Sequence, residues 1–266
     1  MKVFRYCPRS VLVPEKVSVL ILLGMGIFYF SAIAATDPPN RAPVSVPQSL
    51  LEPTTHSVLV RATTETLELV RANIERKLSA ITTIACTVEM SKKRDKKITR
   101  KVYTGPLLIR RETGGHLILT RKGETEEYIA NARFLYAYDH KKKEATVIPI
   151  RSPILGYFVT EALRFNAFLA IDQETLRFLG TQTTNGEPCW VFEGKSPKRL
   201  RIFGVPVRKM RVWVAIRDGL PREIRIPEEK DLTIVLRDYA INQPVSESEF
   251  DWKAPSGVRV KNILGF

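Results

Sequence analysis

Beyond Thr82, apolar and polar residues alternate with a period of two, in short segments: TTIACTVEMS, KVYTGPLLIRR, HLILTRKG, ETEEYIANA, RFLYAYDH and EATVIPI. Such alternation marks strands with one buried face. Turn signals separate them at Gly114-Gly115, at Lys122-Gly123 and in the charged loop His140 to Lys143. The scheme then repeats. TLRFLGTQTT and EPCWVFEGK flank Asn185-Gly186, VRKMRVWVAIR and LPREIRIP flank Asp218-Gly219, and DLTIVLRDYAI follows a PEEK turn. Asn-Gly and Asp-Gly between alternating runs are strong hairpin signals, since these residues tolerate positive φ. Roughly ten strands in hairpin succession predict an antiparallel meander curled into a barrel or half-barrel.

The period changes to that of a helix in two places. Leu67, Val70, Ile74, Leu78 and Ile81 recur at spacings of three and four, with Glu68, Arg71, Glu75 and Arg76 between them. This predicts an amphipathic helix covering something apolar. Residues 152–171, SPILGYFVTEALRFNAFLAI, place Phe158, Ala162, Phe165, Phe168 and Leu169 at helical spacing with few charges. A second, very apolar helical segment is expected there, inserted between the halves of the meander. The fold class is therefore α+β and mainly β. Two helical covers lie over a curved sheet whose apolar face includes Met210, Val212, Val214, Ile224 and Ile226. If the covers fill that face, it is an ordinary core; if they form a lid, it is a pocket for something long and apolar.

The first 57 residues read differently. Lys2, Arg5, Arg9 and Lys16 precede an uncharged run, VSVLILLGMGIFYFSAIAA, that closes on Ala32-Ile33-Ala34. Residues 1–34 are expected to be a signal peptide, with a retained anchor over residues 17–35 as the alternative. Residues 35–57 are proline-rich and aperiodic, an extended tether. Residues 58–266 form the folded domain. Removing residues 1–34 takes away four bases and one acid (Glu15), so the formal charge falls from +14 to +11. That excess suits anionic lipid headgroups or acidic polymers, or is simply a soluble basic surface; export argues against nucleic acid. Cys86 and Cys189 are the cysteines outside the leader, and in an oxidising compartment a disulfide between them is permitted.

No catalytic pattern stands out. His56, His116 and His140 are far apart, and the carboxylates of Glu124 to Glu127 and Glu228 to Asp231 sit in charged turns. Zinc-protease, paired-cysteine, nucleophile-elbow and phosphate-loop motifs are all absent. Neither an enzyme nor a cofactor or metal site is expected.

Two stretches resemble one family. FDWKAPSGVRV places Phe250, Trp252, Pro255, Gly257, Val258 and Val260 where LolA-type periplasmic lipoprotein carriers end on Phe-x-Phe-x-x-Pro-x-Gly-Val-x-Val. TGPLLIRRE matches that family's early strand at Gly105, Leu107, Ile109, Arg110 and Arg111, with Glu112 where proline is usual. RFLYAYDH is similar to its Leu-Trp-x-Tyr strand, and Met90 replaces a glutamine often found on the first strand.

The resemblance implies an unclosed β-barrel with a helical lid, holding acyl chains of lipoproteins or lipid. It points to Leu107, Ile109, Leu117, Leu119, Tyr136, Met210, Val212 and Val214 as cavity residues, and to Phe158, Phe165 and Phe168 as lid residues. Arg111 would latch the lid by hydrogen bonds to lid-helix backbone; the alternative is a basic turn made by Arg110 and Arg111 before Gly114. By implication the protein is a monomeric periplasmic carrier, loaded by an inner-membrane release complex and unloaded by an outer-membrane acceptor. Two alternatives are a tethered envelope sensor of the same fold that binds a partner protein or lipid, and a closed structural domain.

Overall fold

A computed structural model of the chain describes residues 55–93, 99–150, 159–196, 201–202, 205–227 and 232–262. The signal segment and nearly all of the tether lie outside these residues, as does Phe158. Helix α1 (Thr55–Ser79) opens the domain, taking in the last three tether residues. Its Ile74 and Leu78, and Ile81 just beyond, are buried as the helical spacing predicts.

Six strands follow in hairpin succession: β1 (Thr83–Lys93), β2 (Thr99–Arg110), β3 (Gly114–Arg121), β4 (Glu124–Asn131), β5 (Phe134–Asp139) and β6 (Glu144–Pro149). After the insert come β7 (Arg177–Thr184) and β8 (Glu187–Lys195), then a two-stranded pair, β9 (Arg201–Ile202) and β10 (Val205–Pro206). The chain ends on β11 (Lys209–Ala215), β12 (Pro221–Ile226), β13 (Leu232–Ile241) and β14 (Arg259–Asn262). Twelve strands make one sheet in the order β14-β6-β5-β4-β3-β2-β1-β13-β12-β11-β8-β7, whose ends do not pair with each other. It is an unclosed barrel. Every pairing is antiparallel except that of β14 with β6, where the closing Val-x-Val stretch forms the expected edge strand.

The turns follow from their residues. Asn185-Gly186 (φ 51° and 78°) and Lys122-Gly123 (φ 49° and 79°) are two-residue turns with both φ positive, the twist that suits a hairpin. Gly114-Gly115, expected as a turn, instead begins β3, and Arg111 to Thr113 make the turn, with Glu112 at φ 58°. The glycine at 114 is explained by Phe250. A Cβ there would lie 2.4 Å from the Phe250 ring, so only glycine lets that buried ring sit on β3.

Beyond residue 163 the inserted segment departs from the helix its spacing predicts. Among its described residues only 159–163 are α-helical, and turns follow. Phe165 takes φ 63°, which ends the helix, and Asn166 then accepts a bond from Phe168 N (2.9 Å) and donates one to Glu161 (2.9 Å).

One face of the sheet, with α1 and the insert, buries a continuous apolar cluster. Cys86 belongs to it, whereas Cys189 sits in a separate cluster with Val191, Trp213 and Ala215. Both thiols are free. The permitted disulfide does not form, because β13, β12 and β11 lie between β1 and β8 in the sheet. Four steps at about 4.8 Å are far beyond the span of one bridge.

Candidate functional site

Period-two geometry brings one set of side chains from many strands onto the inner face. Ile84, Leu107, Ile109, Met210, Ile224 and Leu236 line a cavity there, roofed by Ala162, Phe165 and Leu169 of the insert. Its volume is about 40 Å³. At roughly 10–15 Å³ of such volume per water, it has room for about three waters and for no acyl chain. Around this void, the described residues of the sheet's inner face, α1 and the insert pack as one apolar cluster.

Three of the expected cavity residues, Leu107, Ile109 and Met210, line that void. Leu117, Leu119, Val212 and Val214 are buried in the same cluster without lining it. Phe165 roofs the void, and Phe168 packs edge-on against Phe192 with centroids 4.7 Å apart.

Tyr136 is a correction. It faces the outer side of the sheet and stacks on Trp252, centroids 5.2 Å apart. On β5 it is Leu135 and Ala137 that reach the inner cluster, so Phe134, Tyr136 and Tyr138 point the other way. The C-terminal stretch covers this aromatic face. Trp252 lies on the tyrosines, Phe250 is buried on Gly114, and Asn131 Nδ2 donates to the Phe250 carbonyl (3.2 Å).

Arg111 bonds helix backbone, but the helix is α1 rather than the insert. Its Nε donates to the Ile81 carbonyl (2.7 Å), and a second guanidinium nitrogen donates to Leu78 O. Carbonyls at a helix C-terminus lack partners within the helix, so a cation suits that place. Burial pulls the guanidinium's pKa down; Glu112 opposes this and Arg164 adds to it. The insert is held by the other side of the same group. The guanidinium carbon lies 4.9 Å from the centroid of the Phe165 ring. Glu112 completes the junction, with its carboxylate on Arg164 (3.1 Å) and its N–H on the Leu163 carbonyl (3.4 Å). Glu112 thus provides an ion pair to the insert.

The far end of the insert is fastened differently. Asp172 N donates to Lys195 O and Lys195 N to Thr175 Oγ1, both at 2.8 Å. Gly194 admits Ile171, since a Cβ at Gly194 would lie 2.3 Å from its Cγ2 atom. One end is therefore close-packed onto β8. The stretch 159–165 is held by an exposed ion pair, a long hydrogen bond and a ring contact, and its Val159, Ala162, Leu163 and Phe165 are buried in the same apolar cluster.

Sequence reasoning missed Ile84, Leu236 and Tyr239 of the cavity wall. The alternation of Ile84, Cys86, Val88 and Met90 on β1, and of Leu232, Ile234 and Leu236 on β13, carried that signal. On the outer face Glu127 binds His116 Nε2 (2.8 Å) and His140 Nε2 (3.0 Å), bringing together two histidines that are far apart in sequence. Among the described residues no group of three or more ligating side chains is placed to hold a metal.

No protein-family model matches the sequence, and no curated protein matches it. Solved structures do. An uncharacterized conserved protein from Thermus thermophilus aligns over 74% of this chain and 99% of its own, at 12% identity and a TM-score of 0.50. A LolA superfamily protein from Nitrosomonas europaea aligns over 68% of this chain and 97% of its own (11% identity, TM-score 0.36). The lipoprotein LppX from Mycobacterium tuberculosis aligns over 66% and 94% (14% identity, TM-score 0.40). At such identities the likeness concerns the fold alone.

Proposed function

We propose that this protein is a non-enzymatic carrier that takes acyl chains of a lipoprotein, or lipid, onto the inner face of its sheet beneath the inserted lid. The observation that carries this reading is an apolar wall of Leu107, Ile109, Met210, Ile224 and Leu236 that borders a void beneath the insert. Around residues 159–165 the insert's contacts are mainly apolar, with one exposed ion pair and one long hydrogen bond beside them, so an entering acyl chain could replace most of what it displaces. Displacing the insert would expose the wall that the 40 Å³ void only hints at. Each methylene moved from water to such a wall gains roughly 0.8 kcal/mol, so a long chain can drive the opening. The motif resemblance at Gly105 to Arg111 and at Phe250 to Val260 points the same way. In this reading the carrier works in the periplasm.

The test is titration of the protein with a fluorescent fatty-acid probe, followed by competition with a triacylated lipopeptide. Saturable binding that the lipopeptide displaces is expected, with tighter binding by Phe165→Ala, which removes the roof of the void. If neither protein binds the probe saturably, the carrier reading fails. The tightly filled interior would then favour the alternative, a tethered module that recognises a partner protein.

A further inference from the structure

We propose that the sheet end bearing the β3–β4 and β5–β6 turns docks on the anionic headgroups of a lipid bilayer. The strand register defines this end. Lys92 pairs with Arg100 and Leu232, Arg121 with Glu124, Asp139 with Glu144, Glu144 with Arg259, and Lys195 with Lys209. All of these positions therefore lie at the same end of the strands, opposite the end where Arg111 meets α1. Exposed cations gather there: Arg121 and Lys122 on one turn, Lys141, Lys142 and Lys143 on the next, and Lys195 beside Arg208 and Lys209.

Charge is distributed differently at the two ends. Near the latch, three arginines have carboxylate partners: Arg110 with Glu247, Arg164 with Glu112 and Glu161, and Arg222 with Glu187 and Asp218. At the turn end the described carboxylates Glu124, Asp139, Glu144 and Glu193 are already engaged, by Lys141, by Lys142, by Arg259 together with Lys261, and by Lys209. Lys122, Lys143 and Lys195 add exposed charge beyond these pairs.

The arrangement fits a surface better than a single ligand. Successive turns along the β1–β6 stretch stand two strands apart, about 10 Å, so the charges form a row of separated tips and no pocket. Most are lysines, which act as mobile point charges, whereas recognition of an individual phosphate or carboxylate favours the arginine fork. A row of separated ammonium groups matches an extended field of weakly binding anions, such as the surface of an anionic leaflet. Docked this way, the strands stand on the membrane with the Arg111 latch at the distal end. The inference does not depend on what the inner face holds.

The experiment is co-sedimentation of the exported protein with vesicles of pure phosphatidylcholine and vesicles containing phosphatidylglycerol, at low and high salt. Each cation near an anionic surface strengthens binding by about fivefold. The triple variant Lys122→Gln/Lys143→Gln/Lys195→Gln is thus expected to bind phosphatidylglycerol vesicles about a hundredfold more weakly. A control with the same charge change at the other end, Arg76→Gln/Arg133→Gln/Arg217→Gln, should bind within a few-fold of the unmodified protein. High salt should abolish the difference, as charge screening requires. Equal losses in both triples, or binding indifferent to lipid charge, would overturn the proposal. Failure to bind anionic vesicles while still binding soluble polyglutamate would overturn it too, and would name an acidic protein as the partner. A fatty-acid titration of both triples separates this result from the carrier reading, since neither set touches the cavity.

Discussion

Replacing Arg111 by leucine removes a side chain that touches both the C-terminal end of α1 and the insert. Its two hydrogen bonds to the carbonyls of Ile81 and Leu78 involve a charged donor, a class worth about 1.5–3 kcal/mol each when shielded from water. Arg111 is only half-buried, so solvent screening and rehydration of the freed carbonyls reduce the pair to about 2 kcal/mol. The ring contact with Phe165 adds about 0.5–1 kcal/mol. A loss of about 3 kcal/mol lowers the unfolding midpoint of a domain this size by about 6–12 °C. Arg111→Lys should recover part of it, because an ammonium can reach one carbonyl but cannot span both and cover the ring. Two readouts separate a latch from a mere helix cap. Thermal unfolding followed by circular dichroism reports the stability, and an apolar dye below the transition reports opening of the insert. Lower stability with increased dye binding by the folded variant is the expected pair. A midpoint within about 1 °C of the unmodified protein would refute the energetic argument. A lower midpoint without extra dye binding would show that Arg111 caps α1 and does nothing for the lid.

Gly194→Ala should loosen the packed end of the insert, since its new methyl overlaps Ile171; a loss of about 1–3 kcal/mol in urea unfolding is expected, and no loss would show that the insert shifts freely. The bond from His116 leads in holding the Glu127 carboxyl below its ordinary value of 4.5, with His140 adding to it against the opposing effect of burial. That stability is fully present above pH 4.5 and is lost as pH falls through the depressed folded value, so Glu127→Gln should flatten the fall in unfolding free energy below pH 4.5. Burial pushes the thiol of Cys86 up to about 12 and that of Cys189 up to about 11. Neither should react with a thiol reagent at pH 8 in the folded protein, and both should react in guanidinium without prior reduction; a need for reductant would mean a bridge.

Where one face of a strand is apolar and the other is not, the inner side chains were legible from the pattern alone. Met210, Val212 and Val214 on β11 and Leu107 and Ile109 on β2 lie where alternation puts them. Strand β5 offered no such contrast. Phe134, Tyr136 and Tyr138 are as apolar as Leu135 and Ala137, and which set turned inward depended on Trp252, more than a hundred residues away, covering the aromatic side. The insert failed for a related reason. Apolar residues at helical spacing can be buried equally well by a helix or by a chain of turns, and positive φ at Phe165 cannot be read from composition.

By itself the sequence determined the succession of strands, the tight hairpins at Asn185-Gly186 and Lys122-Gly123, and the short edge strand at the end of the domain. These depend on interactions within a few residues, which local chemistry specifies. Tertiary structure alone decided that Arg111 grips α1, that Cys86 and Cys189 are four strands apart, and that the interior holds a void of about 40 Å³. Each of these depends on how distant segments fill shared space; alternation tells which face of a strand is buried, but not which remote segment packs against it.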